Sequence, residues 1–412
     1  MILLKNNYFQ LLKNFIIKNG KKITIFFLLI AIYNNLSHFI RKNILSDRID
    51  FWDFHVYWCS ANKFINGINP YGGETIKDCL TKFNFDLYFS YPPIILRSIS
   101  FLGNLDFIYA KIIWIFVIIS SFYLIVIFLQ KIYSFKFLFF SLLLLFTGGG
   151  LIWGSLLAGN ISVILYAILI IGIYFLINKK NNFYYFSVTL VSIVKFPFLI
   201  FFFLPLFLKD FKEYKKIIFY FSLTILIYFL QFYFDSKLFL SYINSTLSYK
   251  GENFLKIHGT GIGIHGIIDL YQGIMYEKTK INFFKPSGIY SFLLHNLISF
   301  TLFISAFFLF DKKKPNLKQK KFLISFFVAI FLCCFPRISS YDFFLLISSF
   351  VYVVNFSRMK LINKNWEFVI TILTISILAV YDTRYPAFVI SMFLFLCFYH
   401  QIKGNDPFYL KK

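Results

Sequence analysis

Long apolar runs alternate with short basic breaks along this chain, and the alternation sets the first expectation. Runs of about 17 to 25 residues, each long enough to cross ~30 Å of hydrocarbon as a helix, occupy most of the length. They fall near 23–40, 108–129, 137–153, 161–177, 183–208, 217–234, 288–310, 322–335, 341–355, 366–381 and 386–401. The run 183–208 is interrupted by Lys195-Phe196-Pro197. Read as one span, it would carry the Lys209 to Lys216 cluster to the opposite side from the other basic loops. Read as two short helices turning at Lys195 and Pro197, it returns that cluster to their side. Proline removes a backbone donor and disfavours helix in the residue before it, which supports the turn.

That choice gives about twelve spans, with both termini and every strongly basic loop (Lys312 to Lys321, Arg358 to Lys364, Lys403 to Lys412) on the cytoplasmic side. Two long segments, 41–107 and 235–287, are then outside. Residues 1–22 carry five lysines between apolar patches and read as an interfacial helix. The first span is too long, and too lacking in a small-residue cleavage site, for a removed signal peptide, so it is expected to stay as an anchor.

Composition agrees. The chain has 412 residues, 59% of them hydrophobic and 15% charged, with mean hydropathy +0.71. A soluble core cannot hide so much apolar surface. Lipid offers no partner for open backbone groups and no alternating barrel pattern is present, so the expected class is an all-α polytopic membrane protein forming one integral-membrane domain over 1–412. The net charge of +24 sits in short loops rather than on one folded face, which encodes topology and gives no reason to expect a nucleic-acid partner.

Candidate chemistry concentrates in the first outer segment. It holds Asp47, Asp50, Asp53, Glu74, Asp78 and Asp86 in a chain with only 18 acids, set among aromatic and proline residues beside the membrane. Cys59 and Cys79 share this segment, where an extracytoplasmic setting would permit a disulfide. Cys333, Cys334 and Cys397 lie in spans and read as small apolar residues. The spacing of Asp47, Asp50 and Asp53 is not that of an Asp-X-Asp metal motif, and neither an essential metal nor a cofactor is expected.

The motif Asp53-Phe54-His55-Val56-Tyr57, followed by Gly67, Pro70, Tyr71 and Tyr91-Pro92-Pro93, resembles the first outer loop of glycosyltransferase family 87. The resemblance continues at Gly159-Asn160, Lys195-Phe196-Pro197 and Pro336-Arg337-Ile338-Ser339-Ser340-Tyr341-Asp342, in islands over about 50–345. The chain departs from the family at Asn160, often glutamine there, at the one-residue spacer between Lys195 and Pro197, and over 235–287. The resemblance implies a GT-C-like fold in the bacterial plasma (inner) membrane and an extracytoplasmic site. It also implies transfer of a hexose, mannose in that family, from a polyprenyl-phosphate sugar to a glycolipid or glycan acceptor.

Such a donor already carries a good leaving group, so the protein must add a base for the acceptor hydroxyl and positive charge for the departing phosphate. By the resemblance the base is Asp53; Asp50 is the rival. Asp53 has a second reading, as N-cap of a helix from Phe54 to Phe64. Lys195, an ammonium inside an apolar run, is the leading phosphate ligand, against a snorkelling lysine at a turn. Arg337 and Arg384 are the other cations near this face, against local pairing with Asp342 and Asp382. His55, Tyr57, Tyr91, Asn160, His258, His265 and Asp342 are the candidate acceptor or sugar contacts. The glycine-rich 258–266 lacks the preceding strand and Lys-Ser/Thr ending of a nucleotide loop, and is expected as a loop over the acceptor. His295 reads as a packed histidine. A lipid or glycan flippase, or an O-antigen ligase or polymerase, remains the alternative; the first should show repeated halves and none is visible.

Overall fold

In the computed structural model the described residues form helices and turns, with no strand among them. They comprise 51–71, 73–80, 88–133, 158–254, 264–281, 289–309 and 317–334, with Leu156 and isolated positions between 10 and 37. The expected spans at 23–40, 137–153, 341–355, 366–381 and 386–401 lie outside these continuous segments.

The described residues of 51–99 form α1 (Trp52–Ile65), α2 (Gly73–Lys77) and α3 (Pro93–Ile99). Pro93 occupies the first turn of α3, where its missing N–H costs nothing. Then come α4 (Phe107–Tyr133), α5 (Ser162–Ile177) and α6 (Asn181–Val194). The helix stops at Lys195, whose backbone is extended at φ −130° and ψ 100°, and the chain resumes as a 3-10 helix over Phe196–Phe203 and α7 (Leu204–Phe207). This segment folds back along α6: the Tyr184 hydroxyl donates to the Phe201 carbonyl, and the Tyr185 and Phe202 rings stack at 6.4 Å.

α8 (Tyr214–Phe234) follows, then α9 (Ser236–Phe254), α10 (Ile264–Thr279), α11 (Ile289–Leu309) and α12 (Leu317–Cys334). The described residues of 235–287 are therefore mostly helical. The loop expected over 258–266 gives way at Ile264, so His265 and Gly266 sit in the first turn of α10. Apolar residues at Ile264, Ile267, Ile268 and Tyr271 recur at helical spacing, which outweighs the single glycine within that turn.

Two helices, Phe107–Tyr133 and Phe211–Phe234, are long and apolar enough to cross a membrane. Only 11% of the most apolar 18-residue window of the second is buried, and Ile218, Phe219, Phe229, Tyr233 and Phe234 are all exposed. On α4, buried Ala110, Trp114, Ile118 and Ser121 form an inward stripe, while Ile108, Ile112, Phe116 and Ile119 face out.

The bundle sorts its polar groups between two ends. Lys131, Lys179, Lys180, Lys209, Lys212, Lys215 and Lys216 mark one end, where the Lys209 ammonium donates to the Phe307 carbonyl at 3.0 Å. At the other end α1 and α3 pack over α4, α5 and α8. Trp58 Nε1 donates to the Leu105 carbonyl at 3.0 Å, Arg97 pairs with Asp235 at 2.6 Å, and the Ile94 N–H donates to Gln231 Oε1 at 3.0 Å. Cys59 and Cys79 are joined as a disulfide that ties the 66–80 excursion back onto α1, beside the Lys63–Asp78 pair.

α1 approaches the 100–105 turn too closely for any side chain on Gly103, where a Cβ would sit 2.5 Å from the Ala61 carbonyl carbon. The obstruction is backbone and cannot rotate away. Gly103→Ala is expected to lower the unfolding midpoint of the purified protein by the equivalent of about 2 kcal/mol or more. An unchanged midpoint would show that α1 does not rest on this turn.

Candidate functional site

The site begins with how α1 enters its helix. Phe51 precedes it in the left-handed region at φ 63° and ψ 37°, with no side-chain cap. Such a backbone is uncommon for a bulky residue and persists only where packing holds it. Here the Phe51 ring lies against Gly159, on which a Cβ would fall 2.6 Å from Phe51 Cδ1. Gly159 itself has φ +65°, so both the backbone angle and the ring exclude a side chain.

Helix α1 thus starts at Trp52, and Asp53 lies inside its first turn. The N-cap reading is corrected accordingly, because the helix begins before Asp53. Its carboxylate instead accepts from Asn160: Nδ2 to Oδ2 is 2.7 Å. The other end of the Asn160 amide, Oδ1, accepts from the Ser162 N–H at 2.8 Å. That Asx-type turn fixes the amide orientation and leaves Nδ2 for the carboxylate. It uses the short reach of asparagine to a backbone group two residues on, which gives a local reason for asparagine at this position.

Ser162, the first residue of α5, then accepts from Lys195: Nζ to Oγ is 2.7 Å. The helix break lets this happen, since an extended residue at the end of α6 turns the lysine toward the start of α5. Asp53, Asn160, Ser162 and Lys195 form one connected chain from a carboxylate to an ammonium. Asn160 and Ser162 are buried, whereas Asp53 and Lys195 are half-buried at its two ends.

An aromatic floor supports this chain. Phe54 stacks on Trp114 at 5.6 Å, and Tyr57 meets Trp114 edge-on at 5.5 Å. Trp114 Nε1 donates to the Gly159 carbonyl at 2.7 Å, fixing the turn from below. The Tyr57 hydroxyl accepts from the Ile161 N–H at 3.3 Å and shares a hydrogen with the Tyr91 hydroxyl at 3.2 Å. Burial, then Tyr91 and the Asp53 carboxylate, push the Tyr57 hydroxyl well above its ordinary pKa, keeping it a neutral donor. Tyr71 donates to the Tyr91 carbonyl at 2.8 Å, and its ring meets Tyr242 of α9 at 5.9 Å. Burial pushes the Tyr242 hydroxyl up to about 12.

Of the residues expected from sequence, Asp53, Tyr57, Tyr91, Asn160 and Lys195 converge here. His55 lies two residues on, about 200° round α1 from Asp53, with its ring 4.1 Å from that of Phe107. His265 falls within α10, its side chain outside the described residues, as is that of His295. Asp50, His258, Arg337, Asp342, Asp382 and Arg384 also lie outside the described residues. Cys59, Asp78 and Cys79 cluster closely enough to suggest metal ligands, but a disulfide offers no thiolate. Sequence reading missed Ser162, whose signal is a small hydroxyl at the mouth of an apolar run two residues after Asn160. It also missed Trp114, signalled by one of only five tryptophans in the chain lying a turn inside a span.

Asp53→Ala and Asn160→Ala are each expected to destabilise the protein, with a coupling between them of about 1 kcal/mol in a double-mutant thermal-unfolding cycle. Strict additivity would mean that the two side chains do not touch. Tyr57→Phe leaves the buried Ile161 N–H without its acceptor, and a loss of about 1–2 kcal/mol is expected by the same measurement. Compared with known proteins, the chain matches no family model, no curated protein and no solved structure.

Proposed function

We propose that this chain is a polytopic membrane glycosyltransferase of GT-C type, moving a hexose from a polyprenyl-phosphate donor to an acceptor hydroxyl at the extracytoplasmic face. The observation that carries the reading is the connected chain from the Asp53 carboxylate to the Lys195 ammonium through Asn160 and Ser162. It joins a base and a cation at one end of an apolar bundle, the pair of groups that transfer from a lipid phosphate needs. The motif resemblance to glycosyltransferase family 87 points to the same residues.

In the proposed step Asp53 accepts the proton of the acceptor hydroxyl as its oxygen attacks the anomeric carbon. The new carbon–oxygen bond forms while the bond to the lipid phosphate breaks, and the electron pair leaves on the phosphate oxygen. Lys195, oriented by its bond to Ser162, offsets that charge. Attack opposite the leaving group inverts the anomeric centre without a glycosyl-enzyme intermediate. Tyr57, Tyr91 and His55 are the proposed sugar and acceptor contacts.

Two independent features support the membrane reading and its sidedness. The outward faces of α4 and α8 carry contiguous apolar residues beyond what water tolerates on a monomer. Lysines crowd the end remote from Asp53, as cytoplasmic loops do, while the Cys59–Cys79 disulfide lies at the Asp53 end, as an oxidising compartment allows.

Membranes supplied with labelled polyprenyl-phosphate-mannose test the reading. Asp53→Asn is expected to cut sugar transfer by about 10²–10⁴-fold, the usual contribution of a general base, while the protein still inserts and forms its disulfide. Full activity in that variant would remove Asp53 as the base, and vectorial lipid movement without a glycosidic product would replace the enzyme with a transporter. In intact cells, a membrane-impermeant reductant is expected to open Cys59–Cys79. Protection until lysis would invert the proposed orientation.

A further inference from the structure

Lys111 is a cation that the chemistry above does not use. It lies just past the first turn of α4, at the seam between the buried stripe, marked by Trp114, and the outward face, marked by Ile108 and Ile112. Among the described residues no carboxylate pairs with it; its ammonium stands over the Phe51 ring, 5.3 Å from the centroid. Near a helix N-terminus the peptide dipoles disfavour a cation, so its position gains nothing from the helix it sits on. A lysine placed only to be solvated would be better stationed at the far end, with Lys131.

The surroundings say what it serves. The Phe51 ring beneath it is the one wedged against Gly159, and Gly159 precedes Asn160, which holds Asp53. Lys111 therefore borders the reacting end of the site from the side on which α4 shows apolar residues, through an aromatic ring and a strained backbone. A ligand reaching it from that side must carry an apolar body and an anionic head. We infer that Lys111 is a docking residue for the phosphate of a lipid-borne monophosphate that approaches along the outward face of α4 beside the Phe51 ring. The inference rests on the glycosyl-transfer reading for its substrate and extends it to a route of entry.

The test uses full-length protein in nanodiscs and measures binding of a sugar-free polyprenyl monophosphate, so no turnover is needed. Lys111→Gln is expected to weaken binding about tenfold or more, the loss of one charge-assisted hydrogen bond, whereas Lys111→Arg stays close to wild type. Lys111→Leu is the substitute where glutamine is not tolerated, since the flanking Ile108 and Ile112 already face outward. An intact Cys59–Cys79 disulfide on a non-reducing gel checks the fold of each variant. The matching polyprenol should bind poorly to all forms. Equal binding by wild type and Lys111→Gln overturns the inference, as does failure of wild type to bind the lipid phosphate. Competition by inorganic phosphate, or by phosphatidylglycerol, at the same concentration as the polyprenyl phosphate would also overturn it, by making the ligand a free anion or bulk lipid. Lys111-dependent binding by a protein that transfers no sugar would leave the docking site standing and sink the transfer reading alone.

Discussion

The Gly159-Asn160 turn is the constraint on which the rest of this site depends. Three things meet there that no single side chain could combine. A left-handed glycine admits the Phe51 ring against the backbone, the Trp114 indole holds the glycine carbonyl, and the asparagine amide divides itself between the Ser162 N–H and the Asp53 carboxylate. Each contact restricts the next. Without the glycine, Phe51 has no seat and α1 loses its entry angle; without that angle, Asp53 does not face Asn160.

Magnitudes decide which contacts hold α1 and α3 in place. The Lys63–Asp78 and Arg97–Asp235 pairs have exposed members, and solvent screens such pairs so that they contribute little. Lys63 holds the exposed Asp78 carboxyl below the usual range, so its pairing is present at neutral pH and lost only as pH falls through that lowered value. The aromatic floor is larger. Phe54, Tyr57, Tyr71, Phe89 and Trp114 are all buried, and each aromatic side chain of this size contributes roughly 1.5–3 kcal/mol by leaving water. The ion pairs and the disulfide adjust the lid of this assembly, and the rings hold it.

Sequence made part of this legible for reasons that can be named. Asp53 and Lys195 stood out because charge is rare in a chain that is 15% charged, and Lys195 because proline two residues on forbids an uninterrupted helix. The break and fold-back at Lys195 follow from that rule. Ser162 and Trp114 carried weaker signals, a hydroxyl two residues after Asn160 and one of five indoles, because the partner of each is set by tertiary approach. The helical content of 235–287 was hidden by its polar composition, since α9 and α10 are amphipathic rather than uniformly apolar. Asp53 was placed at the helix start by its cap-forming type, but Phe51 in the left-handed region begins the helix first.

Why a relay of neutral groups joins Asp53 to Lys195 can be argued from what each group must do. A carboxylate and an ammonium in contact at low dielectric would each stabilise the other's charged form, making the carboxylate harder to protonate and leaving the cation already neutralised. An amide and a hydroxyl between them convey orientation without conveying full charge. Asn160 presents a donor to Asp53 in a geometry fixed by its own backbone, and Ser162 presents an acceptor to Lys195 from the mouth of α5. The cost is small, because both intermediates are short side chains at a turn and lose little rotamer freedom there. The gain is that the two ends of the chain, each half-buried, are held at a set separation with the aromatic floor beneath them, as the proposed transfer would need of its base and its phosphate-binding cation.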